Sequence, residues 1–402
     1  MVAGIVLLTL ASAIFWWHWT QPSPEESESR LKQAAPEIRE QAIRSLKQAQ
    51  PEVREQFEKN LKEAVENTAN TDPKPARKVG DRVPSAAPVE AKSTESNKNP
   101  AVDDSILLRF ASTGHRLSFA QEGQASSGPA IVRLDLAHAA LTPIVTGGAA
   151  IAGPQPSPDG KQLVFMAGTT HSSDIWVCDA DGSHPKRLTS TGKTGTPRWS
   201  PDGHWIAFDS DGRFGRSGIY IVSADGGAVR PLVEDTVNNS VPSWSRDGKY
   251  IYFASNRGDG WESDQVWKVP VQGGQPVQLT HHGGFSGFES MDGQTFYYAK
   301  HRYQNPEIWQ VSANGGDESR VSLLHPTTWA SWALTKTGIL LLSEYSAQVS
   351  ELQYFDFATR SVHSLATLEK ASFWLASSAN GSSIWYSELT DDQARQVFKA
   401  GL

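Results

Sequence analysis

Trp199-Ser200-Pro201-Asp202-Gly203 is followed by Trp205-Ile206-Ala207-Phe208 and then by Ile219-Tyr220-Ile221-Val222. Read in order, these are the end of one strand, a tight turn and two further strands. Pro presets φ at the turn, Asp bonds back to the backbone, and Gly accepts φ > 0. The apolar and aromatic runs on either side suit strands.

The stretch recurs. Ser157-Pro158-Asp159-Gly160 repeats it, and Ser245-Arg246-Asp247-Gly248, Ser290-Met291-Asp292-Gly293 and Ser378-Ala379-Asn380-Gly381 vary it. Thr335-Lys336-Thr337-Gly338 and Ala111-Ser112-Thr113-Gly114 are weaker versions. The turn glycines stand at 114, 160, 203, 248, 293, 338 and 381. Second strands follow at Gln162–Phe165, Trp205–Phe208, Tyr250–Phe253 and Thr295–Tyr298. Third strands follow at 175–177, 219–222, 266–269 and 308–311, then a glycine-rich hairpin such as Gly273-Gly274. The fourth often ends in Leu-Thr, as at Leu188-Thr189 and Leu279-Thr280.

Four strands in each unit of roughly 43–46 residues is the period of a β-propeller blade. The fold class is therefore all-β, a propeller over residues 103–402. Seven turns favour seven blades. The last unit runs out near Val397-Phe398-Lys399, so Ile106-Leu107-Leu108-Arg109-Phe110 is a candidate to complete it, and the count then falls to six.

Before the propeller the chain changes character three times. Residues 1–20 carry no charged side chain, and Val2–Trp19 is long enough to approach a membrane span, with Trp16, Trp17 and Trp19 at one end. A transmembrane anchor is expected there, with a signal peptide cut near Ala11-Ser12-Ala13 as the competing reading. Residues 21–70 read as a helical stalk. Pro36-Glu37-Ile38-Arg39-Glu40-Gln41 recurs as Pro51-Glu52-Val53-Arg54-Glu55-Gln56, each Pro suited to a first helical turn. Residues 71–102, rich in Pro and charge, read as a disordered linker. Both readings of the first segment put the rest of the chain outside the cytoplasm.

The net charge is −7. Residues 21–100 are balanced, so all of it falls on the propeller. An acidic domain is a poor phosphate-backbone binder, which disfavours nucleic acid as a partner. With one cysteine, Cys178, neither an internal disulfide nor a cysteine-based zinc site can form.

The repeat resembles the TolB-type β-propeller repeat. Val266-Trp267-Lys268-Val269-Pro270, Gly273-Gly274, Gln278-Leu279-Thr280 and Tyr354-Phe355-Asp356-Phe357-Ala358-Thr359 resemble one subgroup in particular. Its members are membrane-anchored regulators with a cytoplasmic CadC-type winged helix and an extracytoplasmic propeller. The resemblance implies an inner-membrane, single-pass protein with its propeller in the periplasm. No winged-helix residues occur in this sequence, so DNA binding is not carried over. A regulator whose reader domain is missing from the chain stays as an alternative.

Signs of catalysis are sparse. Gly284-Phe285-Ser286-Gly287 lacks the spacing of a nucleophile elbow, and Gly192-Lys193-Thr194 lacks the upstream glycine of a phosphate loop. His281-His282 reads as a polar turn, Asp179-Ala180-Asp181-Gly182 as a hairpin, and Cys178 as a packing residue. Trp176, Trp267 and Trp309 recur at one blade position, as core packing would require. No catalytic residue, metal or cofactor is expected. A hydrolase or lyase propeller is the second alternative.

What remains is a surface for a protein or envelope ligand. The polar loops after the second strands offer His171, Arg213, Arg216, Asn256, Arg257, Lys300, His301 and Arg302. Several are basic on an acidic domain, so they suit an acidic partner, although a solvated loop is the simpler reading of any one alone. Deleting residues 1–20 from an exported chain should release soluble, folded propeller. Membrane pelleting that persists would place envelope binding in the stalk or propeller instead.

Overall fold

Each turn of the repeat closes through the same three hydrogen bonds. Ser200 Oγ accepts from the Trp205 N–H at 2.9 Å and donates to Asp202 Oδ1 at 2.5 Å. Asp202 Oδ1 also accepts from the His204 N–H at 3.0 Å. Ser157 with Asp159, Ser245 with Asp247 and Ser290 with Asp292 repeat the arrangement. Gly203 has φ 75°, which explains why glycine ends the motif. The divergent turn at Thr335 is tighter: its hydroxyl accepts from the Gly338 N–H and donates to the Gly338 carbonyl, both at 3.0 Å.

These turns organise the computed structural model, which describes Leu107, Ala120–Gln121 and most of residues 128–388. The anchor, stalk and linker read from the sequence lie outside the described residues, as do Gly114 and Val397–Lys399. Among the described residues, no helix is long and apolar enough to cross a membrane.

The described strands form six sheets, each a blade. The first blade runs Ala150–Pro156, Gln162–Thr169, Ser172–Asp179 and Lys186–Arg187. Blade two is Thr194–Trp199, Trp205–Asp211, Ser217–Ser223 and Arg230–Val233. Blade three is Asn239–Trp244, Tyr250–Ser255, Gln265–Pro270 and Val277–Gln278. Blade four is Gly287–Glu289, Thr295–Ala299, Ile308–Ser312 and Ser319–Arg320; blade five is Trp332–Leu334, Gly338–Ser346, Val349–Asp356 and Ser361–Leu368. In each, the first strand is innermost and successive strands pair antiparallel.

Blade six is composite and corrects the favoured count of seven. Ser372–Ser377 and Ser383–Glu388 supply its inner half, and Ala130–Asp135 and Ala140–Thr146 its outer half. Ala120–Gln121 adds a short parallel strand outside them. The segment that closes the ring is thus Ala130–Asp135 rather than 106–110. Its pattern Ala-Ile-Val-Arg-Leu-Asp is buried on both faces, as a strand inserted between two others must be. Of 106–110 only Leu107 is described, and it is fully buried in the core shared by blades five and six.

The cores lie mainly between blades. One cluster joins Ile219, Ile221 and Val233 of blade two to Trp244, Ile251 and Phe253 of blade three. Others join blades three and four, four and five, five and six, and six and one. Inner strands are also stitched together by indoles. Trp199 Nε1 donates to the Gln155 carbonyl and Trp244 Nε1 to the Arg198 carbonyl, each at 3.1 Å and each to the preceding blade. The Leu-Thr pairs lie just past the outer strands and act as latches. Thr189 Oγ1 accepts from the Ile175 N–H, and Thr280 Oγ1 from the Val266 N–H, each at 2.9 Å.

Leu134 and Ile384 are cross-strand partners in the closing sheet and both are fully buried. Leu134→Ala and Ile384→Ala should each cost about 2–5 kcal/mol in denaturant unfolding, although they lie at opposite ends of the propeller sequence. A cost under 1 kcal/mol for both would mean that the ring does not depend on this closure.

Candidate functional site

The turns and the glycine-rich hairpins occupy one face of the ring. The loops between second and third strands occupy the other, because antiparallel strands alternate ends. That second face holds the loop residues singled out in the sequence. His171 and Arg213 lie outside the described residues; the other six are placed.

They do not converge on one point. Arg216 is exposed at the tip of the blade-two loop, two residues from Phe214, whose ring is 57% exposed. Asn256 Oδ1 accepts from the Asn238 N–H at 2.9 Å. Arg257 is largely consumed by structure. It donates to Asp235 Oδ2 at 2.6 Å and Asn239 Oδ1 at 2.9 Å, and lies 5.1 Å over the Trp267 ring. Burial draws its pKa down, opposed by Asp235. Lys300 Nζ sits 3.4 Å over the Trp309 ring. His301 is exposed, and partial burial followed by the Lys300 charge lowers its pKa. Arg302 covers the Phe285 ring at 4.9 Å and approaches Asp264 Oδ2 at 3.9 Å, across the interface between blades four and three.

Trp176, Trp267 and Trp309 therefore pack only in part: each is half-buried against its cluster, and the last two carry cations. His281 and His282 form a turn, with the His281 N–H donating to Glu318 Oε1 at 2.6 Å. Cys178 is buried, and burial first and then Asp179 push its thiol up to about 12. Among the described residues, no group of three His, Cys, Asp or Glu is placed to hold a metal.

Beneath the loops the channel is closed. One apolar cluster draws Ala152, Trp199, Val241, Phe285, Trp329 and Trp374 from or beside the inner strands of all six blades. Trp329 meets Phe285 edge-on at 5.1 Å and Trp374 at 5.0 Å. This face is consequently a surface of loop tips over an aromatic floor.

One buried acid sits in that floor. Asp209 Oδ2, at the end of the second strand of blade two, accepts from Thr196 Oγ1 at 2.6 Å and from the Val241 N–H of blade three at 2.8 Å. Thr196 and Val241 occupy equivalent inner-strand bulges at φ 44° and 53°. A β-branched residue at positive φ is costly, about 1–3 kcal/mol, and persists where its surroundings hold it. Here Asp209 holds it. Burial raises the carboxyl pKa, while these two bonds and the Arg302 charge oppose the rise. The sequence reading missed Asp209, Asp264 and the Phe285–Trp329–Trp374 floor. Aligning the repeats would have exposed Asp209, because blades three and four carry Ala254 and Ala299 at the same register.

The chain is similar to several known propellers. The family model described as the Tricorn protease N-terminal beta propeller domain matches residues 171–287. An uncharacterized peptidase, YuxL of Bacillus subtilis, is 30% identical over 142 residues, 34% of this chain. A TolB homolog of Chlorobaculum tepidum is 37% identical over 70 residues, 17% of this chain. The matches span 22% and 16% of those two relatives' own lengths. A solved structure assigned to TolB, from Agrobacterium tumefaciens, superposes with TM-score 0.54 at 19% identity, over 65% of this chain and 98% of that one. The fold is that of a TolB-like six-bladed propeller.

The raised pKa of Asp209 makes a signed prediction. A carboxyl whose folded pKa lies above its unfolded value stabilises fully below the unfolded value, near 3.9, and loses that contribution as pH rises through the folded one. Asp209→Asn keeps an acceptor and removes the charge. Its stability relative to wild type should grow with pH, by about 1.4 kcal/mol per pH unit between the two pKa values, then level off. Asp209→Ala should instead cost about 1–3 kcal/mol at every pH, by stranding two buried donors. Urea unfolding from pH 3 to 8 measures both.

Proposed function

We propose that this protein is a non-catalytic, membrane-tethered propeller that recognises a protein or envelope ligand through its second-to-third-strand loops. The observation that carries this reading is the closed floor beneath them, from which Phe214 and Arg216 project. Exposed aromatic and arginine side chains are the residues that most often dominate protein interfaces. The acidic bulk of the domain makes the basic tips a local exception, suited to an acidic partner. Residues 1–20 would hold the propeller at the inner membrane, on the extracytoplasmic side. In its finer form the reading makes the chain the sensor part of a transmembrane regulator. That form is supported by the resemblance of residues 266–284 and 354–359.

A photo-crosslinking residue at Phe214 should capture a discrete partner in the native envelope, and the same probe at Val277, an exposed outer-strand position, should not. Arg216→Glu should reduce the Phe214 capture at least tenfold while leaving the melting temperature within about 1 °C, as expected for a surface substitution. Capture from Val277 alone, or labelling of the purified chain by a serine-hydrolase probe, would overturn the proposal.

A further inference from the structure

The opposite mouth of the channel holds a charge without a partner. Counting back five residues from each turn glycine gives one layer of the inner strands: Gln155, Arg198, Ser243, Phe288, Ala333 and Ala376. The strand register supports the equivalence, with cross-strand partners Val164, Ala207, Tyr252, Tyr297, Leu340 and Trp385. Arg198 is the one ionisable member. Its guanidinium carbon lies 5.5 Å from the ring centroid of Phe288, two blades away, so the side chain reaches across the channel.

Arg198 is only 7% exposed. Its side chain makes one hydrogen bond, from Nη1 to the Pro197 carbonyl at 3.0 Å, and Nε has none. Among the described residues, no carboxylate lies within ion-pair distance of it. Burial draws its pKa down to about 10, opposed by the more distant Asp209, so it stays charged at neutral pH. A buried charge normally has a counterion and filled hydrogen bonds. Glu289, the next residue after Phe288, does not serve, because it is committed to the Tyr252 hydroxyl at 2.6 Å and the Arg246 N–H at 2.5 Å.

Two neighbours in the layer have polar groups to spare. The side chains of Gln155 and Ser243, in the blades flanking Arg198, make no hydrogen bond among the described residues. Gln155 and Phe288 are each partly exposed, so solvent reaches this layer. Between the layer and the open face stand only the small turn residues such as Ser157, Ser200 and Ser245. Three consecutive blades thus present a planar cation, an amide and a hydroxyl to one enclosed, accessible space.

We propose that this layer is a binding site for a small carboxylate, paired with the Arg198 guanidinium and completed by Gln155 and Ser243. Guanidinium pairs with carboxylate through two parallel hydrogen bonds, whereas chloride offers no such geometry. The site lies at the other end of the ring from the proposed partner surface and is independent of it.

The test is a titration of the full chain with sodium acetate, against sodium chloride at equal ionic strength, read by thermal melting and by the 13C signal of labelled acetate. Wild type should gain melting temperature in acetate beyond that in chloride. Arg198→Met should abolish the acetate-specific gain while remaining folded, since replacing an unpaired buried charge by an apolar side chain of similar length is often neutral or stabilising. Ser243→Ala and Gln155→Leu, which leave the charge in place, should raise the half-saturating acetate concentration severalfold. Equal responses to acetate and chloride, or an acetate response that survives in Arg198→Met, would overturn the site. A response to phosphate without one to acetate would overturn the carboxylate assignment.

Discussion

Ala130–Asp135 lies against Ser383–Glu388 in a fully antiparallel ladder, and this pairing joins the two ends of the propeller sequence. The rest of the fold depends on it. A four-stranded sheet has two apolar faces and no means of covering either alone. Each blade solves the problem by lending a face to each neighbour, which works only if the series returns to its start. The clusters between blades six and one and between five and six are where that return occurs. Without the closing strand, Ile384, Trp385 and Tyr386 would lose their partners along one edge, and the first and last blades would each show a bare face.

The ring geometry leaves an inner edge at every blade, and its polar groups must be answered. Pro154, Pro197 and Pro242 stand at one register and remove an N–H from that edge. Just before them Gly153, Thr196 and Val241 take positive φ, and the strand bulges. Asp209 meets the resulting donors from two blades at once. A single side chain thereby couples bulge, interface and floor, which explains why a charged group is retained in a place where its siblings are alanine. The two mouths differ as a result. One is sealed by aromatic packing from all six blades, and the other keeps a guanidinium in a layer that solvent reaches.

Much of this was legible from local chemistry. Ser-Pro-Asp-Gly marks its own turn because the hydroxyl, carboxylate and glycine are satisfied within five residues. The second and third strands fall where the aromatic and β-branched runs placed them, extended by a few residues at the loop ends. The loops bearing Arg216, Asn256, Arg257, Lys300, His301 and Arg302 are on the expected face. Their individual fates were not legible. Arg257 is bound to Asp235 and Asn239, and Arg302 to the Phe285 ring, because those partners come from other strands and another blade. Nothing in the spacing of a loop records what stands opposite it.

The amino-acid sequence alone determined the repeat, its turn chemistry and the four-stranded unit, because these rest on contacts between residues a few positions apart. Tertiary structure decided the number of blades, the identity of the closing strand, the sealed floor with Asp209 beneath it, and the isolation of Arg198 across the channel. Those depend on which unit meets which around the ring. The physical reason is one of range. A turn is settled by the hydrogen bonds of its own residues, whereas a channel exists only once distant edges face each other.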